Sequence, residues 1–353
     1  MILDENGDDL RATEHAGYPL PPPDGRTPVG MARGRYMVPH PETGVPTSYS
    51  RATGLATMLD DTYHLEKWKE RKAIEGMIAA PQLLARYQEA ASGVTAAPAH
   101  KLNGIIEKAR IAAGTAEAAE FGTATHAWLE AIDQGRIIPS MVPGQFREHV
   151  HAYTARLAEH AIEPVPRLTE RTVINLRYGV VGTFDRVYAL PDGRMVMGDV
   201  KTSKTLRYGY LSFAMQMAIY ADADYMLSLD GQSWEPMPDL VREWALLAHV
   251  PSDAPGNAAL VTFDLDHGRA GLEAAQLVKD LRASAADTVP HRHALPTPPA
   301  SAVRFARAVN AIKTSATSDD LAAVWTEYQD VWTDGLTNLG HAVIEANATQ
   351  RNA

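Results

Sequence analysis

The stretch "GTFDRVYALPDGRMVMGDVKT", residues 182–202, sets one acidic residue into each of the two strand-like segments rich in Val, Tyr and Met that flank "PDGR", Asp185 in the first and Asp199 in the second. The segments on either side of "PDGR" have the β-branched and aromatic texture of strands. Asp-Gly is turn chemistry, so the spacing predicts a hairpin. Closing it brings Asp185 alongside Asp199. Side chains alternate along a strand, so Asp199 and Lys201 share a face. A carboxylate in an apolar strand is costly unless a metal, a counter-charge or several hydrogen bonds compensate it. Two of them with a lysine point to a site rather than a surface.

The pattern extends outward from this hairpin. With "LTERTVINLRYGVV" before it, the segment up to Thr202 holds three strand runs, separated by "RYG" and "PDGR". A helix follows over about 209–226, then strands in "REWALLAHV" and "AALVTFDLD", then a helix over about 268–284. Upstream, 101–134 and 144–162 read as helices, and "TYHLEKWKERKAIEGMIA" as a helix anchored in the core by Trp68. The resulting order, α, β-β-β, α, β-β, α, is an α/β fold with a mixed sheet flanked by helices.

The expected divisions are a mostly irregular, Pro- and Gly-rich segment over 1–48 and a main domain over 49–284 with its core at 120–284. A Pro/Ala linker over 285–300 and a small helical appendage over 301–353 complete the chain. In the appendage, Leu321, Val324, Trp325, Tyr328 and Trp332 form one stripe.

Composition excludes several classes. Cysteine is absent from the 353 residues, which removes disulfides, cysteine nucleophiles, thiolate zinc sites and cysteine-ligated iron–sulfur clusters. A net charge of −10 argues against a protein that coats nucleic acid electrostatically, though not against a nucleic-acid enzyme with a local basic groove. There is no apolar run long enough to span a bilayer, and the acidic opening "MILDENGDDLRATEH" lacks the order of a secretory signal, so a cytoplasmic protein with no membrane partner is expected.

The residues that carry chemistry occur in order: His126 in "GTATHAWLE", Glu170 in "LTERTVI", Asp185, Asp199 and Lys201, then Gln216 and Tyr220 one turn apart on a helix. Two carboxylates and an imidazole suit Mg²⁺ or Mn²⁺, and a neighbouring lysine suits the positioning of water beside a phosphate. Simpler readings stand beside this one. His126 pairs with Glu130 one turn on, Asp185 caps a turn, Asp199 pairs with Lys201, Tyr220 is core, and Glu170 is a solvated strand start.

This string resembles the PD-(D/E)XK nuclease superfamily, and within it the RecB-like exonuclease branch, while the flanks "YSRATGLATMLDD", "LEKWKER" and "GLEAAQLV" look like those of bacteriophage-encoded members. The matching motifs are "GTATH", Glu170, "GTFD", "DVK" and "QMAIY", over about 120–225. The resemblance implies a restriction-endonuclease-like core. It makes His126, Asp185 and Asp199 metal ligands with the Val200 carbonyl, Lys201 the catalytic lysine, and Glu170 an accessory acid. Gln216 and Tyr220 would support the site and touch DNA. It further implies a Mg²⁺- or Mn²⁺-dependent exonuclease acting on linear double-stranded ends in recombination or repair. A single-strand annealing recombinase is an implied partner, and self-assembly is compatible with it. An endonuclease of the same superfamily and a non-catalytic DNA-end binding module remain the alternatives.

Arg51, Lys69, Arg71, Lys72, Arg186, Lys204 and Arg207 are candidates to line a DNA groove. Two decoys fall away. "GDVKTSKT" has the length of a phosphate-binding loop, but Ser203 stands where the second glycine belongs, so no ATP is expected. "HRH" at 291–293 lacks companion ligands and reads as a solvated tract.

Overall fold

Asp185 is the residue at which the chain leaves one sheet and enters another. A computed structural model describes residues 17–26, 28–92, 97–288 and 297–351; the "HRH" tract lies outside these. The strands β1 (Met31–Ala32), β2 (Arg35–Pro39) and β3 (Pro46–Arg51) lead into helices α1 (Ala52–Ala56), α2 (Tyr63–Ala79), α3 (Pro81–Ser92), α4 (Ala99–Ala112), α5 (Thr115–Asp133) and α6 (Gly144–Glu159). Next come β4 (Glu163–Pro164), β5 (Arg171–Asn175), β6 (Val180–Phe184), β7 (Arg186–Ala189), β8 (Met195–Lys201) and helix α7 (Tyr210–Ala221). Then follow β9 (Tyr225–Leu227), β10 (Trp234–Pro236), β11 (Trp244–His249), β12 (Ala259–Asp264) and α8 (Leu265–Ala283).

These strands form two mixed sheets, ordered β1-β2-β3-β6-β5-β9-β10 and β12-β11-β8-β7-β4. The second is built on the expected hairpin. β7 and β8 run antiparallel with Arg186 opposite Gly198 and Ala189 opposite Met195, and Gly193 takes the left-handed φ of 85° that the turn requires. β8 pairs in parallel with β11, which places these central strands between two helical layers. Val196, Val200, Leu246 and Ala248 face α5 and α6 through Leu129, Phe146 and Val150. Met197, Val187, Ala245 and Leu247 face α7 and α8 through Met215, Ala218 and Leu272. Each such buried side chain contributes roughly 1.5–3 kcal/mol, so burial on both faces fixes the register of β8.

The mixed α/β architecture agrees with the expectation, and several details differ. The strand run around "GTFDRVYAL" is two strands, because the apolar pattern continues across Asp185 while the backbone turns from one sheet to the other. The helix expected over 101–134 breaks at Gly114, whose φ is 77°. Within 1–48, the described part contains β1, β2 and the start of β3; Pro39 and Pro46 face each other at the strand ends, where a missing N–H does little harm. Trp68 is 39% exposed rather than a core anchor.

The described chain divides into two compact units, one ending at Ala283 and one beginning at Ser284. The second unit holds α9 (Ala300–Thr314), α10 (Ser318–Glu327) and α11 (Asp334–Arg351), packed around Ala308, Ile312 and Leu336. Leu321, Val324, Tyr328 and Trp332 join that cluster, whereas Trp325 points to solvent. Thr317 and Asp320 form a capping box at the start of α10. Among the described residues, no helix is long and apolar enough to cross a membrane.

Candidate active site

Extending the β7–β8 register by one residue sets Asp185 directly opposite Asp199. Asp185 Oδ2 accepts a hydrogen bond from the Val200 N–H at 2.9 Å, so the carboxylate is held against the neighbouring strand. His126 Nε2 lies 3.0 Å from the same oxygen. Helix α5 delivers the imidazole because it passes very close to the end of β8: a Cβ on Gly122 would stand 2.8 Å from Thr202 Oγ1. His126 follows one turn later.

Lys201 sits two residues beyond Asp199 and on the same face, with its Nζ 2.6 Å from Asp199 Oδ2 and 5.3 Å from the centre of the Phe213 ring on α7. The aromatic face and the carboxylate together fix the ammonium. Val200 buries its side chain in the core, so any further role falls to its backbone.

Glu170, the least conspicuous candidate in the sequence, lies in the cluster. Its Oε1 is 3.8 Å from His126 Nδ1, and its backbone N–H donates to Asp185 O at 2.8 Å. Its φ of 51° is left-handed, unusual for a residue with a Cβ. Arg26 secures this turn by donating from Nη1 to Thr169 O at 2.7 Å and to Glu170 O at 2.9 Å.

Two residues outside the expected set belong here. Glu130, one turn beyond His126, joins it and Glu170 in a group whose ligand atoms all lie within 4.8 Å of one another. The i, i+4 spacing was its signal, read as simple pairing. Arg26 gave no signal, since nothing local links it to Glu170.

Gln216 donates to Tyr220 OH at 3.4 Å. Tyr220 is buried beneath β6, where a Cβ on Gly182 would come within 2.7 Å of its ring. It supports the sheet next to Asp185 and offers no surface to nucleic acid, contrary to the expectation of a DNA contact. Arg186 likewise leaves the basic groove: its side chain is fully buried and paired with Asp133. Of the other basic candidates, Lys69, Lys72 and Lys204 pair with Glu66, Glu75 and Asp253.

The electrostatics split the two aspartates. Burial favours the neutral acid at Asp185, but His126, Lys201 and Arg186 outweigh it and hold this carboxyl well below the usual range. Burial and then the charge of Asp185 push Asp199 up to about 6, against the pull of Lys201. Burial and Asp185 push Glu170 up to about 8. Burial alone would lower Lys201 and His126, but the carboxylates outweigh it and raise both. Neighbouring carboxyls driven apart in this way are characteristic of functional sites, which makes this cluster the candidate one. Their crowding is what a bound cation would relieve, and oxygen donors with one imidazole suit a hard divalent ion.

A family model described as the PD-(D/E)XK nuclease superfamily matches residues 82–287, which is more than half of the chain and runs from α3 through α8. Comparison with curated proteins gives no match.

Proposed function

The chain belongs to the PD-(D/E)XK nuclease superfamily, whose members use divalent metal ions, and from that premise we propose that it is an exonuclease of the RecB-like type acting on linear duplex DNA ends. The observation that carries the reading is the sharing of one strand face by Asp199 and Lys201, with Asp185 opposite and His126 at 3.0 Å from it.

Asp185, Asp199 and His126 would hold Mg²⁺ or Mn²⁺ with help from the Val200 carbonyl, and Glu130 and Glu170 border the same space. When bound, the cation supplies charge neutralisation at the phosphate and acidifies water. The protein's own residues do the rest. Asp185 stays ionised, because His126 and Lys201 stabilise its charge. Lys201 is held as an ammonium, which suits it to donate to a phosphate oxygen and to orient the attacking water. Phe213 and Asp199 fix its reach. Gln216 and Tyr220 brace the sheet below, and with Arg186 buried, Arg51, Lys69, Arg71, Lys72, Lys204 and Arg207 are the basic candidates to meet the DNA backbone.

A bacteriophage origin with action in the host cytoplasm rests on the likeness of the flanks "YSRATGLATMLDD", "LEKWKER" and "GLEAAQLV" to phage-encoded members. The exonuclease assignment and a role in recombination or repair rest on the RecB-like character of "GTFD", "DVK" and "QMAIY". So do a single-strand annealing recombinase as partner and assembly into a homo-oligomer. The domain reading stands with them: a nuclease domain over 49–284 and a helical appendage over 301–353 that docks a partner or another copy of the chain.

End-labelled linear duplex and a closed circle, incubated side by side with Mg²⁺, Mn²⁺ or EDTA, test the proposal. Metal-dependent loss of the linear DNA alone supports an exonuclease, and the released label gives its polarity. Nicking of the circle makes it an endonuclease instead. Binding of ends without any cleavage makes it a non-catalytic module.

A further inference from the structure

Arg186 follows Asp185 directly in sequence, and its side chain has no exposed surface. Its Nε donates to Asp133 Oδ2. The same oxygen accepts from Tyr153 OH at 2.9 Å, and that hydroxyl lies 3.1 Å from Tyr188 OH. The guanidinium also stands 5.7 Å from the centre of the Tyr153 ring. Asp133 comes seven residues after His126 on α5, two helical turns on, so His126, Glu130 and Asp133 line one face of that helix. The buried pair therefore joins the strand that begins immediately after Asp185 to the helix that carries His126.

Stability does not explain such a pair. Replacing a buried ion pair by apolar side chains of similar volume is often neutral or stabilising, because both charges lose their hydration. Here the cost is higher than usual: Arg186 Nη1 and Nη2 and Asp133 Oδ1 are buried with no hydrogen-bond partner. What an ion pair supplies that an apolar contact lacks is a fixed distance and direction. A Leu against a Met can slide; a guanidinium on a carboxylate cannot without losing its hydrogen bond.

We propose that Arg186 and Asp133 are a positioning pair that sets the spacing of Asp185 from His126, and through it the affinity of the site for a divalent cation. The inference rests on the reading of Asp185 and His126 as metal ligands. Neither Arg186 nor Asp133 touches metal or substrate. They act through the backbone, Arg186 as the chain neighbour of Asp185 and Asp133 on the helix that carries His126. Loss of groups that orient metal ligands typically weakens binding by about 10- to 100-fold.

The test is calorimetric titration of Mn²⁺ into the full chain as wild type, as Asp185→Asn, as Arg186→Lys, and as the double variant Arg186→Met with Asp133→Leu. Removing both charges avoids stranding either one. The expected result is a double variant that keeps the wild-type thermal midpoint while its Kd for Mn²⁺ rises about 10- to 100-fold. In the metal-free protein, the ring resonances of His126 should shift as its contact with Asp185 loosens. A wild-type Kd in the folded double variant, with Asp185→Asn impaired, overturns the positioning role alone. A wild-type chain that binds no Mn²⁺, or an Asp185→Asn chain that binds it normally, overturns the metal-site reading and the positioning role with it. Should the double variant fail to fold, Arg186→Lys decides: several-fold weaker binding supports the role, and an unchanged Kd overturns it.

Discussion

Asp185 Oδ2 takes a hydrogen bond from the Val200 N–H at 2.9 Å and faces His126 Nε2 at 3.0 Å, so one oxygen of Asp185, at the junction of β6 and β7, ties that junction to β8 and α5. The charge of Asp185 is also what raises the pKa of His126 against the effect of burial. Asp185→Asn keeps the shape and removes that charge. His126 in the metal-free variant is expected to titrate lower than in the wild type, measured by NMR of the imidazole resonances. Divalent-metal affinity is expected to fall by at least about 10-fold. An unchanged His126 titration would show that Asp185 is not its partner.

Metal binding should strengthen as pH rises. In the metal-free protein Glu170 holds its proton up to about pH 8 and Asp199 up to about 6, both above their ordinary values. The folded chain then binds protons that the unfolded chain releases. The stability from these two groups is full below pH 4 and is lost as pH rises through 6 and then 8. Asp185 has the opposite sign: its contribution is present above the ordinary carboxylate range and lost on acidification. A cation competes with the protons on Glu170 and Asp199, so the gain in melting temperature on adding Mg²⁺ should be larger at pH 8 than at pH 6. Paired melts in Mg²⁺ and EDTA measure it. An equal gain at both values would mean these carboxyls do not face the metal.

Glu170→Gly should make the metal-free protein more stable. Glycine accepts the φ of 51° without the cost of roughly 1–3 kcal/mol that a strained residue carries, and the half-buried carboxyl disappears. The Arg26 hydrogen bonds go to backbone carbonyls and are retained. A stabilisation of about 1 kcal/mol by denaturant unfolding, coupled with weaker metal binding, is the expected pair of results. A destabilised variant would show that the side chain, not the site, requires this turn.

Gly182→Ala drives a methyl group into the Tyr220 ring and the Ala52 side chain, each less than 3 Å away. Overpacking of this kind costs about 1–3 kcal/mol and displaces Asp185, three residues on. Tyr220→Phe removes only the hydroxyl bonded to Gln216, a loss of about 1 kcal/mol. Urea unfolding of both variants should rank them in that order. The reverse ranking would make the hydroxyl, rather than the close packing, the important feature.

The hairpin was legible because local chemistry specified it: Asp-Gly at the turn, alternation on either side, and a register that brings Asp185 opposite Asp199. Lys201 followed from the two-residue period of a strand. What the sequence hid was nonlocal. Nothing near Arg186 distinguishes a groove-lining arginine from one buried against Asp133, 53 residues away, and nothing near Arg26 shows its reach to the Glu170 carbonyl. The sheet switch at Asp185 was invisible because the apolar pattern is the same on either side of it. Trp68 misled because helical spacing identifies a stripe without showing whether anything covers it.

The most direct measurement is single-turnover cleavage of end-labelled linear duplex DNA in Mg²⁺ by the wild type and by Lys201→Ala. Each is run with an EDTA control and with Mg²⁺ and DNA binding measured in parallel. Cleavage by the wild type, abolished by EDTA and slowed about 10²- to 10⁴-fold by the substitution with binding retained, is the result expected of a lysine that acts on the reacting groups. Cleavage by Lys201→Ala at the wild-type rate, or metal-independent cleavage by either protein, would contradict the assignment of Asp185, Asp199 and Lys201 as the nuclease site.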